Sequence, residues 1–320
     1  MLSRVAERLY WSARYLERAE NTARMVRVFS YMMLDMPKGV GINWRQLVEI
    51  YGAGEDYDSH HRTCGERNVI NYLLSDLSNP GSLFSMLSAA RENVRTTRDL
   101  VPSEGWEHVN ELYLFAKKRL SGKYLSKDRY EFLSEIIMRC QQITGLLAGT
   151  MSHGPAYQFV RVGRNLERAD MTTRLVDVGS ATILAPGVEL ERLENRLWTY
   201  VLRSLSAHQM YRQNVRRRVK PEQVFSFLLK DTDFPRAFAH TIGEIVSCFS
   251  HKLPNHDEPL RAGLRLQRLV AEADASKMHG DALHDFIDVL QMELAELHDR
   301  IVDAWFLPDM VNDEQKQVMS

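Results

Sequence analysis

YLERAENTAR, residues 15–24, comes back at residues 165–174 as NLERADMTTR. Both strings lack Gly and Pro and are built from good helix formers. Around the first copy, no Gly or Pro occurs from Leu2 to about Leu34, and Leu9, Leu16, Ala19, Ala23 and Val26 fall on one side of a 3.6-residue wheel. That spacing predicts one long amphipathic helix, ended by the Pro and Gly of MPKGVG at residues 36–41.

The helical reading extends outward in both directions. Asn79 and Pro80 read as the N-cap and first position of a helix. Ser103 and Ser126 read as further starts, the second leading into EFLSEIIMRCQQITGLL at residues 131–147. After the SHGP break at 152–155 come a helix carrying the second copy, a long one from about Val188 to Arg217, a short one after Pro221 and three more. No stretch alternates apolar and polar residues between turns as a strand would. The expected fold class is all-α, a tandem-duplicated helical bundle of roughly ten or eleven helices.

The duplication rests on spacing. At an offset of 150, Ala13–Val28 and Gly163–Val178 agree at nine of sixteen positions, including Arg14/Arg164, Glu17/Glu167, Arg18/Arg168 and Arg24/Arg174. YLLSDLSNP at 72–80 matches FLLKDTDFP at 227–235 at an offset of 155. Two matches in one order at nearly one offset predict two repeats, 1–150 and 151–320, packed as one unit, with a small insertion between the motifs.

Composition narrows the class of function. The 41 basic residues nearly cancel the 42 acidic ones, so no overall field favours nucleic acid or an anionic membrane. Cys64, Cys140 and Cys248 are far apart and odd in number, which fits neither a disulfide framework nor a clustered zinc site. Arg4, Glu7 and Arg8 interrupt the opening residues where a secretory leader needs an apolar run. The longest uncharged stretch, Cys140 to Val160, is too polar and broken to span a bilayer. A soluble cytoplasmic protein is expected. Gly-x-Gly-x-x-Gly, P-loop and Gly-x-Ser-x-Gly patterns are all missing from the sequence, so no nucleotide cofactor is expected from a known loop.

The candidate site is the repeated stripe. On a helix, Arg14, Glu17, Arg18, Asn21 and Arg24 share about a third of the circumference, opposite Leu16, Ala19 and Ala23. Arg164, Glu167, Arg168 and Arg174 keep their places in the second copy, while Met171 replaces Asn21. Three readings stand. The pairs are solvated, worth ~0.2–0.5 kcal/mol each; the two helices pack about a pseudo-twofold axis, each Glu accepting from arginines of the other copy; or the arginines line a carboxylate or phosphate site. The second carries most weight, because a solvated face would accept Lys for Arg.

No metal is expected. Glu17-x-x-Glu20 and Glu167-x-x-Asp170 lack the following His of di-iron bundles. His284, Asp288, Glu293 and His298 late in the chain, and His60 and His61 beside Cys64 in an expected loop, are weaker candidates. VRRRVK at 215–220 reads as a charged helix end.

With these residues identified, the chain resembles the alpha-E family of bacterial proteins. The likeness is carried by MLSRVAERLYWSARYLERAENTARM at 1–25, NPGSLFSMLSAARENVRTTRDLVPSEGWEHVNEL at 79–112, FVRVGRNLERADMTTRLVDV at 159–178, LRSLSAHQMYR at 202–212 and FLLKDTDFPRA at 227–237. The resemblance implies a helical protein working beside an ATP-grasp-type protein, with a transglutaminase-like peptidase as a second partner, in forming or modifying an amide or peptide product. It also draws attention to Arg91, Glu92, Arg95 and Arg98 as a second stripe able to meet the first in one polar cavity. The expectation is a non-ATPase partner that binds the ligase or an acidic peptide-like substrate. The alternatives are an independent, metal-dependent enzyme and a structural module that oligomerises with itself.

Overall fold

The computed structural model describes residues 2–35, 42–120, 128–183, 190–216, 218–274, 278 and 280–307. Among these every regular element is helical. There are fourteen α-helices: α1 Ser3–Asp35, α2 Arg45–Ile50, α3 Gly54–His60, α4 Glu66–Leu74, α5 Leu83–Thr96, α6 Ser103–Leu120, α7 Arg129–Thr150, α8 Pro155–Ile183, α9 Leu190–Ser204, α10 His208–Val215, α11 Pro221–Lys230, α12 Phe238–Lys252, α13 Asp257–Glu272 and α14 Asp281–Trp305.

The all-α class stands, but the expected ten or eleven helices are too few. Three of the additional ones, α2 to α4, occupy six to nine residues each and are set apart by Gly52, after α2, and Gly65, before α4. Such runs are too short for a 3.6-residue period to register. His60 accordingly ends a helix instead of lying in a loop. The helix expected over 188–217 is two, α9 and α10. They are separated at Ser206, whose φ of 54° is left-handed and cannot continue a helix. Residues 188, 189 and 217 lie outside the described residues, as does the expected start at Ser126.

The start expected at Ser103 is the first residue of α6, and the helices expected after the SHGP break and after Pro221 begin at those prolines themselves, α8 at Pro155 and α11 at Pro221. Asn79 and Pro80 are corrected. The N-cap of α5 is Ser82, whose hydroxyl accepts from the Ser85 amide at 3.3 Å. Asn79 instead ties the preceding turn, accepting from the Gly81 amide and donating to the Tyr72 carbonyl.

α1 lies at the centre. It packs against α5, α7, α8 and α9, and α5, α6 and α7 pack in succession. Around α8 the arrangement is similar: α12 and α14 pack on it, and α12, α13 and α14 pack in succession. One apolar cluster runs through all of these helices. α1 is therefore not the one-sided amphipathic helix expected: Leu9, Ala19, Ala23 and Val26 are buried, and so are Arg14, Glu17, Glu20, Asn21 and Arg24. The polar face escapes solvent because it meets the polar face of α8.

The two helices approach closely. A Cβ on Gly163 of α8 would lie 2.3 Å from the carbonyl oxygen of Tyr10, so only glycine permits this contact.

Candidate functional site

Burying an arginine or a carboxylate is costly unless the charge is paired and its donors and acceptors are met. The α1–α8 seam pairs its charges reciprocally. Glu167 of α8 accepts from Arg14 Nε at 3.1 Å and from Arg18 Nε and Nη2 at 2.5 and 2.8 Å. Glu17 of α1 pairs with Arg168 Nε at 3.0 Å and accepts from Arg236 Nη1 at 2.7 Å. Each glutamate is thus held by arginines of the other helix.

Arg236 lies in the turn before α12 and was not singled out from the sequence. It also donates to Asn21 Oδ1 at 2.9 Å and Glu20 Oε1 at 2.8 Å. Arg24 donates to Glu20 and to Ser206 Oγ. Gln141 of α7 reaches Glu20 at 3.2 Å. Arg164 faces Glu17 closely enough to act on its charge, though its Nε is buried without a hydrogen bond. Arg174 pairs along its own helix with Asp170 at 2.9 Å.

The electrostatics follow from this arrangement. Burial alone would raise the pKa of Glu17, but Arg168, Arg236 and Arg164 outweigh it and hold the group down at about 2. Burial likewise pushes Glu167 up, and Arg18 and Arg14 bring it below the ordinary value. Both remain carboxylates. Burial lowers the pKa of Arg168, and the neighbouring Arg236 and Arg164 add to the effect while Glu17 opposes it. Arg18 shares its glutamate with Arg14 alone and is raised, because Glu167 overcomes burial.

At the outer end, Arg14 lies over the Trp11 ring at 4.7 Å and donates to the Tyr10 hydroxyl at 3.2 Å. That hydroxyl also contacts His298 Nδ1 at 2.8 Å. Burial pushes Tyr10 up to about 12, Arg14 opposing.

The second stripe is elsewhere. Glu92 and Arg95 form an exposed pair on α5 at 2.7 and 2.8 Å. Arg91 donates to Asn110 of α6 at 2.7 Å and lies over the rings of Trp106 and Tyr113. Arg98 is exposed in the short 3-10 turn that follows α5. Arg91, Glu92 and Arg95 have partners of their own on α5 and α6 and do not meet Glu17 or Glu167. Of the late acidic and histidine residues, His284 contacts Asp177 at 2.6 Å and Asp288 at 3.7 Å, while Glu293 pairs with Arg265 and His298 with Tyr10. Among the described residues no three His, Cys, Asp or Glu side chains converge on a point, and no helix is long and apolar enough to cross a membrane.

Beside this seam is a pocket of about 190 Å³ lined by Arg18, Tyr51, Gly81, Glu167, Asp170 and Arg174, among others. The Tyr51 hydroxyl is buried next to Thr22 without a hydrogen bond of normal geometry.

Comparison with known proteins gives the family and little beyond it. An uncharacterised protein of Mycobacterium bovis is 23% identical over 316 residues, covering 92% of this chain and 34% of that protein. Two uncharacterised proteins of Mycobacterium tuberculosis strains match over the same length and shares, at 23% and 22% identity. The chain thus spans about a third of the length of these curated relatives. No solved structure matches. A family model described as a predicted alpha-helical domain with a conserved ER motif matches residues 1–306, and the Glu17-Arg18 and Glu167-Arg168 dipeptides supply such a motif at the centre of the molecule: the chain belongs to the Alpha-E family.

Proposed function

We propose that the chain is a non-ATPase helical partner of an ATP-grasp-type amide or peptide ligase in the cytoplasm, binding the ligase or an acidic peptide-like substrate through its Arg/Glu stripe. The observation that carries it is the match to only 34% of each longer relative, which fits a helical unit that works beside other protein. The resemblance to alpha-E proteins indicates the kind of neighbour, and a transglutaminase-like peptidase is a second one. Ligases of that kind activate a carboxylate as an acyl phosphate, and fixed guanidinium groups suit such an anion.

The geometry divides the Arg/Glu stripe into two parts. Glu17, Glu20, Asn21, Arg24 and Arg236 pair with one another in the interior, so they hold the helices in register. Arg18 and Arg174 keep exposed edges at the pocket and are the part of the stripe available to a ligand.

The same reading includes a tandem origin, with repeats 1–150 and 151–320 packed as one unit. Its support is the order of the helices: α5 starts at Leu83 and α12 at Phe238, the offset of 155 found between the sequence motifs. The packing of α5, α6 and α7 around α1 parallels that of α12, α13 and α14 around α8.

The test is co-purification of the tagged chain with an ATP-grasp protein encoded in the same genome, followed by ATP turnover of that protein with and without this chain. A complex whose turnover depends on the chain is the expected result. Arg18→Lys with Arg168→Lys, which keeps charge and loses the fork, should weaken it. Unchanged turnover and no complex would overturn the proposal.

A further inference from the structure

The pocket beside Gly81 has a filled counterpart in the same molecule. At the offset of 150, Glu167, Asp170, Met171 and Arg174 stand where Glu17, Glu20, Asn21 and Arg24 stand in α1. At the offset of 155, Gly81 stands where Arg236 stands. Arg236 spreads its guanidinium over Glu17, Glu20 and Asn21. Gly81 has no side chain to do the same, and the space bounded by Glu167, Asp170 and Arg174 stays open as the 190 Å³ pocket.

The hydrogen-bonding groups around this space decide what it takes. Most of its acceptors are engaged: Glu167 already receives three N–H bonds from Arg14 and Arg18, and Asp170 receives Arg174 Nε on Oδ2, which leaves Oδ1. Met171 replaces Asn21, removing the amide oxygen that Arg236 uses on the other side. Donors remain. Arg18 commits Nε and Nη2 to Glu167, and Arg174 commits Nε to Asp170, which leaves Arg18 Nη1 and both Nη groups of Arg174 without a partner among the described residues. Three guanidinium groups, Arg14, Arg18 and Arg174, face two carboxylates, Glu167 and Asp170. One added carboxylate makes the cluster neutral, whereas an added cation would raise an existing positive excess and find one carboxylate oxygen, Asp170 Oδ1, against several guanidinium N–H groups.

We infer that this pocket is a binding site for a single carboxylate group on a short stem, held by the free edges of Arg18 and Arg174. Tyr51, with its unbonded hydroxyl, forms part of the wall. A free dicarboxylate and an acidic peptide side chain offer the same chemistry. The inference rests on the acidic-substrate part of the proposed function for its ligand class, but needs no ligase.

The experiment is calorimetric titration of the purified full chain with glutarate, with a tri-glutamate peptide and with arginine amide as the cationic control. Saturable binding of glutarate or the peptide is expected, the tighter of the two identifying the source. Arg174→Gln should weaken it by about tenfold, the loss of one charge-assisted pair. Gly81→Arg should refill the pocket as Arg236 fills its counterpart. A Cβ there meets only Asn79 Oδ1, at 3.1 Å, so circular dichroism should stay helical while binding is lost. The inference is overturned by no saturable binding of either carboxylate up to roughly 10 mM, by undiminished binding to folded Gly81→Arg, or by preference for arginine amide. Should Gly81→Arg not fold, undiminished binding to Arg174→Gln overturns it equally. Because the isolated chain is titrated, this result and the co-purification result can fail separately.

Discussion

Arg18 grips Glu167 with two nitrogens, at 2.5 and 2.8 Å, across 149 residues of chain. A lysine cannot reproduce that fork. Arg18→Lys, partly exposed, is expected to cost on the order of 1 kcal/mol, and Glu167→Gln about 3–5 kcal/mol because Arg14 and Arg18 would both lose their buried counter-charge. Urea unfolding of the two variants checks the order; equal, small losses would mean that the seam is not held by this pair.

Acid should weaken the fold through the same carboxylates. Glu17 sits at about 2 in the folded protein against an ordinary 4.5. A depressed folded value contributes stability that is present above the unfolded value and disappears as pH falls from about 4.5 towards 2. At ~1.4 kcal/mol per unit the contribution is on the order of 3 kcal/mol. Glu167 is shifted in the same direction. Urea midpoints measured from neutrality down to about pH 2 should fall steeply for the natural chain and less steeply for Glu17→Gln.

Arg236 should matter as much as any residue of the repeated stripe. Arg236→Met would strip Glu17, Glu20 and Asn21 of a shared donor, at an expected cost of about 3–5 kcal/mol. Combined with Glu17→Gln the losses should be strongly non-additive, since the second change removes one of the charges that the first left unpaired. A double-mutant cycle reads this directly, and simple additivity would refute the shared network.

Two glycines in helices should respond oppositely to alanine. Gly163→Ala would drive a methyl group into the Tyr10 carbonyl at 2.3 Å, forcing α1 and α8 apart at a cost of about 1–3 kcal/mol or more. Gly145 of α7 has nothing within 4 Å, so Gly145→Ala should stabilise by about 0.4–1 kcal/mol. Thermal melts of the two variants separate the cases.

The parts of this structure legible in sequence are those that repeat or that carry a strong local signal. Arg18 and Glu167 were readable because an identical Glu-Arg pair recurs at a fixed offset, and the beginnings of α8 and α11 because a proline marks the break before each. Arg236 was present in FLLKDTDFPRA but invisible as a partner of Glu17. It lies in a turn, so no helical period links it to α1, and the repeat comparison sets it against Gly81. The break at Ser206 carries no Gly or Pro from Leu190 to Val215 to announce it. The burial of the polar face of α1 depended on α8, which the wheel of one helix cannot show.

The distance along the chain between these partners bears on how the protein is made. Arg168 and Arg236 leave the ribosome only 151 and 219 residues after Glu17. Contacts so remote in sequence slow folding, and domains emerge N-terminal end first during synthesis. α1 is therefore made before the arginines that neutralise Glu17 from outside its own helix. Until residue 236 has emerged, Glu17 and Glu20 lack the guanidinium they share, and the interior network cannot close.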